Sequence, residues 1–210
     1  MKGLYFIAIV PPKEIAECIH EIRLAFAEKF HSEEALKSPI HLTLKEPFTM
    51  DIKEEIILRR KLSFIATQHQ PFQHRLNNYG RFQKHAIFIQ AEKHPFLVAL
   101  KSSIRKMFRA NFYHVQQDQM PFNPHYTIAY RDISEQVFEK AFAEYEHKKF
   151  FAELMCNEFT LFKHDGKQWQ NMEDFKLCGL PEITLFDEKT PLSTPNIEKE
   201  TSKVETLNKT

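Results

Sequence analysis

HLTL at residues 41–44 and HYTI at residues 125–128 share one pattern: histidine, an apolar residue, threonine, an apolar residue. Of the eleven histidines, only these two are followed two positions on by threonine or serine. Successive side chains on an extended strand point to opposite faces. His41 and Thr43 therefore share one face, and Leu42 and Leu44 the other. The same holds for His125 and Thr127 against Tyr126 and Ile128. Each tetrapeptide reads as a strand that anchors one side in a core and offers an imidazole and a hydroxyl on the other.

The surroundings of the two tetrapeptides repeat as well. Leu4–Val10 is an apolar run closed by Pro11 and Pro12, which predicts a buried strand. Ile15, Ile19, Ile22 and Phe26 then recur at helical spacing. Ser38-Pro39 returns the chain to extended geometry just before His41. Asp51 is placed to cap a second helix running to about Ala66, and Phe72–Tyr79 reads as a strand. In the second half AIFIQA (Ala86–Ala91) takes the place of the first strand. Pro95 opens a helix with Phe96, Leu100, Ile104 and Phe108 on one face. Pro121 and Pro124 precede His125, Ser134 starts another helix, and FAELMCNEFTLFK (residues 151–163) reads as one long strand. Gly166-Lys167 predicts a hairpin turn. The order strand, helix, His-x-Thr strand, helix, strand thus occurs twice. Phe6 precedes His41 by 35 positions, and Phe88 precedes His125 by 37. Two copies of one unit point to pseudo-twofold lobes. The expected organisation is a single bilobal domain over residues 1–186, with repeat halves at about 3–80 and 84–178. Residues 187–210 lack aromatic side chains and read as a polar, disordered tail.

Composition narrows the function classes. Hydrophobic residues make up 42% and charged residues 27%, and 20 phenylalanines against 4 glycines allow a large aromatic core. The net charge of +1, from 29 basic and 28 acidic residues, leaves no general basic face for gripping long nucleic acid. The apolar run at Leu4–Val10 is too short for a membrane span and lacks a signal cleavage site. Cys18, Cys156 and Cys178 fit no metal spacing and read as reduced thiols. A cytoplasmic monomer without a membrane partner is the expectation.

Two histidines with two hydroxyls suit phosphodiester chemistry. Threonine hydroxyls donate to the non-bridging oxygens of a phosphate. One imidazole takes a proton from the attacking oxygen, and the other gives a proton to the leaving oxygen. No cofactor or metal is required for that division of labour. A lone His-x-Thr on a strand is ordinary structure. Two copies, each entered through proline and each at the same place in a repeated unit, are much harder to explain as structure alone.

On these residues the chain resembles the 2H phosphoesterase superfamily, in its 2′-5′ RNA ligase-like branch. HLTL and HYTI carry the resemblance, supported by YFIAIVPP near the N-terminus and NYGRF before the second half, over about residues 3–178. The resemblance implies an α+β fold of two lobes, with antiparallel sheets lining a central cleft and helices outside. It implies metal-independent cyclic phosphodiesterase or RNA ligase-like chemistry on 2′,3′-cyclic or 2′,5′-linked phosphates of a small nucleotide or RNA end. His41 and His125 would then be the catalytic pair, and Thr43 and Thr127 the phosphate ligands.

Neighbouring residues add candidates for substrate binding. By strand parity Lys45 shares the His41 face and Arg131 the His125 face, so either is placed to add positive charge. Phe48, Phe122 and Tyr130 are candidates for stacking a base, against a plain core role. The competing functions are a non-catalytic nucleotide or RNA-end binding module in the same cleft, and a metal-dependent hydrolase using scattered histidines.

Overall fold

The computed structural model describes residues 1–83 and 85–179, so the segment 187–210 lies outside the described residues. The chain runs β1 (Lys2–Ile9), α1 (Lys13–Phe30), β2 (Leu42–Asp51), α2 (Glu55–Thr67), β3 (Phe72–Phe82) and β4 (Ala86–Ala91). It continues α3 (Pro95–Asn111), β5 (His125–Tyr130), α4 (Glu135–Tyr145), β6 (Phe151–Cys156), β7 (Glu158–His164) and β8 (Trp169–Lys176). Local chemistry sets several of the boundaries. Ahead of α3, His94 Nδ1 accepts from the Phe96 amide and Pro95 takes the first helical position, where no N–H is needed. Ser134 Oγ caps α4 by accepting from Val137 N, and Asp51 accepts from Lys53 N to cap the 3-10 turn Ile52–Glu54 that leads into α2. Gly166, at φ 103°, makes the turn between β7 and β8.

The strands form two four-stranded antiparallel sheets, ordered β2-β1-β7-β8 and β5-β4-β3-β6. β1 and β4 hold equivalent places, and so do β2 and β5. This is the expected α+β arrangement, two lobes whose sheets line a cleft with helices outside. Alternation along the two central strands separates core from cleft. Tyr5, Ile7 and Ile9 of β1, with Ile87 and Ile89 of β4, enter the main core. Phe6 and Ala8 lie on the opposite face of β1, where Phe6 stacks on Phe162 with ring centroids 4.5 Å apart. Ala86 and Phe88 take that position on β4.

The sheets do not coincide with the sequence halves. β3, from the first half, joins the sheet of β4 and β5. The single strand expected over residues 151–163 is two strands broken at Asn157. β6 pairs with β3, whereas β7 crosses to the other sheet and pairs with β1. Both pieces are extended, so the apolar pattern reads through the break. Only the pairing partners reveal the crossing. The helices interleave in the same way: α1 packs against β5, and α3 against β2. Among the described residues, no helix is long and apolar enough to cross a membrane.

His74 is a polar intrusion into this core. It lies on β3 between Phe72 and Leu76, is 1% exposed, and neither ring nitrogen has a hydrogen-bond partner among the described residues. Burial, aided by nearby His94, lowers its pKa to about 4. Between about pH 6.5 and 4 the unfolded chain therefore binds a proton that the folded chain refuses, and stability falls as pH drops through that window. His74→Leu is expected to raise stability by about 1 kcal/mol at pH 7, and by more at pH 5. Urea melts at the two pH values measure this, and a variant as acid-sensitive as the parent would show that the proton is taken up elsewhere.

Candidate active site

The two His-x-Thr units are built alike. His41 sits immediately before β2 and His125 opens β5. In each unit the histidine and threonine are partly exposed, while the two apolar residues are buried. His41 Nδ1 lies 2.7 Å from the Pro39 carbonyl, and His125 Nδ1 lies 2.7 Å from the Asn123 carbonyl. A carbonyl only accepts, so Nδ1 carries the hydrogen in both rings and Nε2 is left for chemistry. Behind each imidazole sits a phenylalanine from the neighbouring central strand. Phe6 lies 4.8 Å from the His41 ring and Phe88 4.9 Å from the His125 ring, each tilted by 50°. Phe82 closes on His125 edge-first at 4.8 Å.

This enclosure tunes the rings. Burial lowers the His41 pKa to about 4, opposed by the Pro39 carbonyl and assisted by the positive charge of Arg23 and by His125. β2 and β5, the strands that carry the two units, lie against each other. Burial also lowers His125, opposed by the Asn123 carbonyl. Both rings are neutral at pH 7, and His41 is the more strongly held so. Among the described residues no three His, Cys, Asp or Glu side chains gather where they would hold a metal ion.

Parity beyond the threonines fails, for one reason in both copies. Thr43 pairs with Ala8 but Lys45 with Ile7, so Leu44 is an extra residue in β2. Thr127 pairs with Phe88 but Ala129 with Ile87, so Ile128 is the extra residue in β5. Each bulge turns two successive side chains to the core. Lys45 consequently points away from the His41 face. It is 2% exposed and pairs with Asp118 at 2.6 Å, over the rings of Phe48 and Phe108. The parity reading of Lys45 as a phosphate contact is thus corrected.

On the other strand the bulge brings Tyr130, opposite Ala86, onto the face of Thr127 and Phe88. Arg131 lies just past β5 at φ 72°, and its guanidinium stacks 4.6 Å over the Tyr130 ring. Its link to the Thr127 face is the Tyr130 ring and not strand parity. Phe48 is a core residue stacked on Tyr5, and Phe122 packs against the core beside Lys101.

Other residues near the motifs escaped the sequence reading. Trp169 is partly buried, edge-on to Phe6 at 4.6 Å and to His164 at 5.0 Å. Arg23 is 2% exposed on α1 and bonds to the Thr127 carbonyl at 2.8 Å. A charged residue on the stripe of Ile19 and Phe26 was a readable signal for Arg23; nothing in the sequence placed Trp169.

Comparison with known proteins identifies the family. A family described as the 2′-5′ RNA ligase superfamily matches residues 11–168. The chain belongs to this superfamily, that of the 2H phosphoesterases. A Bacillus cytotoxicus protein named "Putative phosphoesterase" is 27% identical over 174 residues, covering 81% of this chain and 95% of the relative. A Bacillus anthracis protein of the same designation is 29% identical over 175 residues, with the same coverage. The crystal structure of TT0787 from Thermus thermophilus superposes with a TM-score of 0.62 at 21% identity, covering 84% of this chain and 98% of that one. Escherichia coli LigT, crystallised with 3′-AMP, superposes at 0.54 with 20% identity, covering 84% and 99%.

The position of Lys45 has a measurable consequence. Lys45→Ala is expected to cost about 3 kcal/mol of stability, because it strips one partner from a buried carboxylate. Affinity of the folded variant for inorganic phosphate should stay within twofold. A tenfold loss of phosphate affinity would return Lys45 to the site.

Proposed function

We propose that this chain is a metal-independent phosphoesterase acting on 2′,3′-cyclic phosphates or 2′,5′-phosphodiester bonds of small nucleotides or RNA ends, with His41 and His125 as the general base and acid. The matched orientation of the two rings carries this reading. Each Nδ1 is committed to a backbone carbonyl two residues upstream, so each Nε2 is free to move a proton. One chain supplies both rings, so no second subunit is needed.

For hydrolysis of a cyclic phosphate the steps balance as follows. A water oxygen attacks phosphorus, and its proton passes to Nε2 of the neutral histidine. The bond from phosphorus to one ribose oxygen breaks, and that oxygen takes a proton from Nε2 of the protonated histidine. His41, the ring more strongly held neutral, is assigned the base, and His125 the acid. In the reverse, ligating direction the roles exchange. Thr43 and Thr127 donate to the non-bridging oxygens, where negative charge is retained through the transition state. Tyr130, with Arg131 stacked on it, and Trp169 offer aromatic surface for a base. LigT has been crystallised with 3′-AMP, with NADP+ and with ATP, which supports a phosphate-bearing nucleotide as the substrate class.

Turnover of 2′,3′-cyclic nucleotides in excess chelator tests the reading. His41→Ala or His125→Ala is expected to lower kcat by about 10²–10⁴-fold. Full activity in either variant would sink the mechanism, loss of activity in chelator would sink metal independence, and tight binding without product would leave a binding module.

The pH dependence of kcat/KM reports the free enzyme. The base limb falls as pH drops through the lowered pKa of His41, and the acid limb falls as pH rises through the lowered pKa of His125. A bell with its optimum below about pH 6.5 is expected. A rate that climbs to a plateau above about pH 8 would contradict the assignment.

A further inference from the structure

The backbone on which each histidine rides is held by a cation from a helix, and the two cations are placed reciprocally. Arg23, on α1 of the first half, donates Nη1 to the carbonyls of Ala35 (2.9 Å) and Ser38 (3.0 Å). That segment leads into His41. The same guanidinium donates Nε to the carbonyl of Thr127, inside the second motif. Lys101, on α3 of the second half, donates Nζ to the carboxylate of Asp118, in the segment that leads into His125. It also donates to the carbonyl of Leu44 at 2.7 Å, inside the first motif. Each cation thus ties the lead-in of its own half's histidine to the motif strand of the other half.

We propose that Arg23 and Lys101 are positioning residues that cross-brace the two His-x-Thr strands and hold their imidazoles in the mutual geometry the reaction needs. The proposal rests on the phosphoesterase reading above. Three features of the structure support it. Ile19, Arg23, Phe26 and Ala27 are the buried residues of α1. Leu100, Ile104, Met107 and Phe108 are buried on α3 at the same spacing. Arg23 therefore occupies the position that its counterpart helix fills with Ile104.

A wholly buried guanidinium there is costly, and its Nη2 has no hydrogen-bond partner among the described residues. Stability alone would be better served by an aliphatic side chain. What the arginine supplies and an isoleucine does not is a rigid fork reaching three carbonyls on two segments. Lys101 is the looser member, its side chain 12% exposed, and Lys45 shares its load on Asp118. Asp132 adds a further tie from the end of β5, accepting from Ser32 Oγ at 2.6 Å and from the amides of Glu33 and Glu34 at 2.6 and 2.8 Å. The attachments made by Arg23 and Lys101 meet the motif backbone at Thr127 and Leu44, where the bulges leave the ladder irregular and a strand would otherwise have most freedom to shift.

The test compares Arg23→Met, Arg23→Lys, Lys101→Met and the double Met variant in turnover of a 2′,3′-cyclic nucleotide. Histidine-ring 15N NMR spectra are recorded on the same samples. Misplacement of reacting groups by about 1 Å costs on the order of 100-fold. Each Met variant is expected to lose about that factor in kcat, with KM within about threefold. Arg23→Lys should recover part of the loss, and the double variant should lose less than the product of the single losses, because both braces serve one geometry. Removing Arg23 should shift the ring resonances of His125 as well as those of His41, and this readout needs no turnover.

Variants that keep kcat within twofold and leave the histidine spectra unchanged, whatever their melting temperature, would overturn the brace. Should Arg23→Met fail to fold, Arg23→Lys and Lys101→Met carry the comparison, since the first keeps a cation in the core and the second alters a partly exposed side chain. Absence of turnover in the parent protein would count against the phosphoesterase reading and not against the brace, which the spectra still decide.

Discussion

The antiparallel pairing of β1 with β2 and of β4 with β5 is the constraint on which the candidate site depends. It sets Phe6 behind His41 and Phe88 behind His125, and it sends Ile7 and Ile87 to the core on the other face. Each pairing holds its register through the threonine and then slips by one residue at a bulge. The slip ends the polar alternation after a single His-x-Thr unit. Beyond it Lys45 on one strand and Ala129 on the other turn inward. A continuous ladder would have carried Lys45 to the cleft, and the first strand would have offered a cation beside its imidazole.

Enclosure gives the site its electrostatic character. An aromatic ring behind each histidine and a carbonyl on each Nδ1 leave the imidazoles neutral and aligned, at the expense of proton affinity. Arg23, Lys45 and the partly buried Lys101 are occupied by backbone carbonyls and by Asp118. Arg23 also bears on charge, because its guanidinium helps to hold the His41 ring neutral. Among the groups that bond to the motif backbones, Arg23 is a buried cation whose desolvation is only partly offset.

Interleaving explains why two similar halves behave as one unit. β3 leaves the first half for the second sheet, β7 returns to the first, and α1 and α3 each pack on the other half's motif strand. The sequence halves cannot be separated without breaking strand pairing in both sheets, yet each motif strand belongs to its own sheet, so packing and side-chain ties, and not a shared ladder, set one motif against the other. The break at Asn157 that permits the exchange was invisible to periodicity, because both sides of it are extended and apolar. Arg23 was more accessible to reasoning, standing alone among apolar residues on one helical stripe. Its partners, three carbonyls distant in sequence, carry no side-chain signature.

Local chemistry in the chain was sufficient to determine the element order as far as β5 and α4, the helix starts at Pro95 and Ser134, the doubling of the unit, and the shared face of each histidine with its threonine. These follow from alternation, helical spacing, capping and proline geometry, all of which act over a few residues. Tertiary structure alone decided which strands pair across the halves, where the two bulges fall, that Lys45 is an internal partner of Asp118, and that Tyr130 and Trp169 reach the faces that carry the histidines. Those outcomes depend on hydrogen bonds between backbones far apart in sequence. Backbone groups are the same at every residue, so their pairing leaves little trace in the order of side chains.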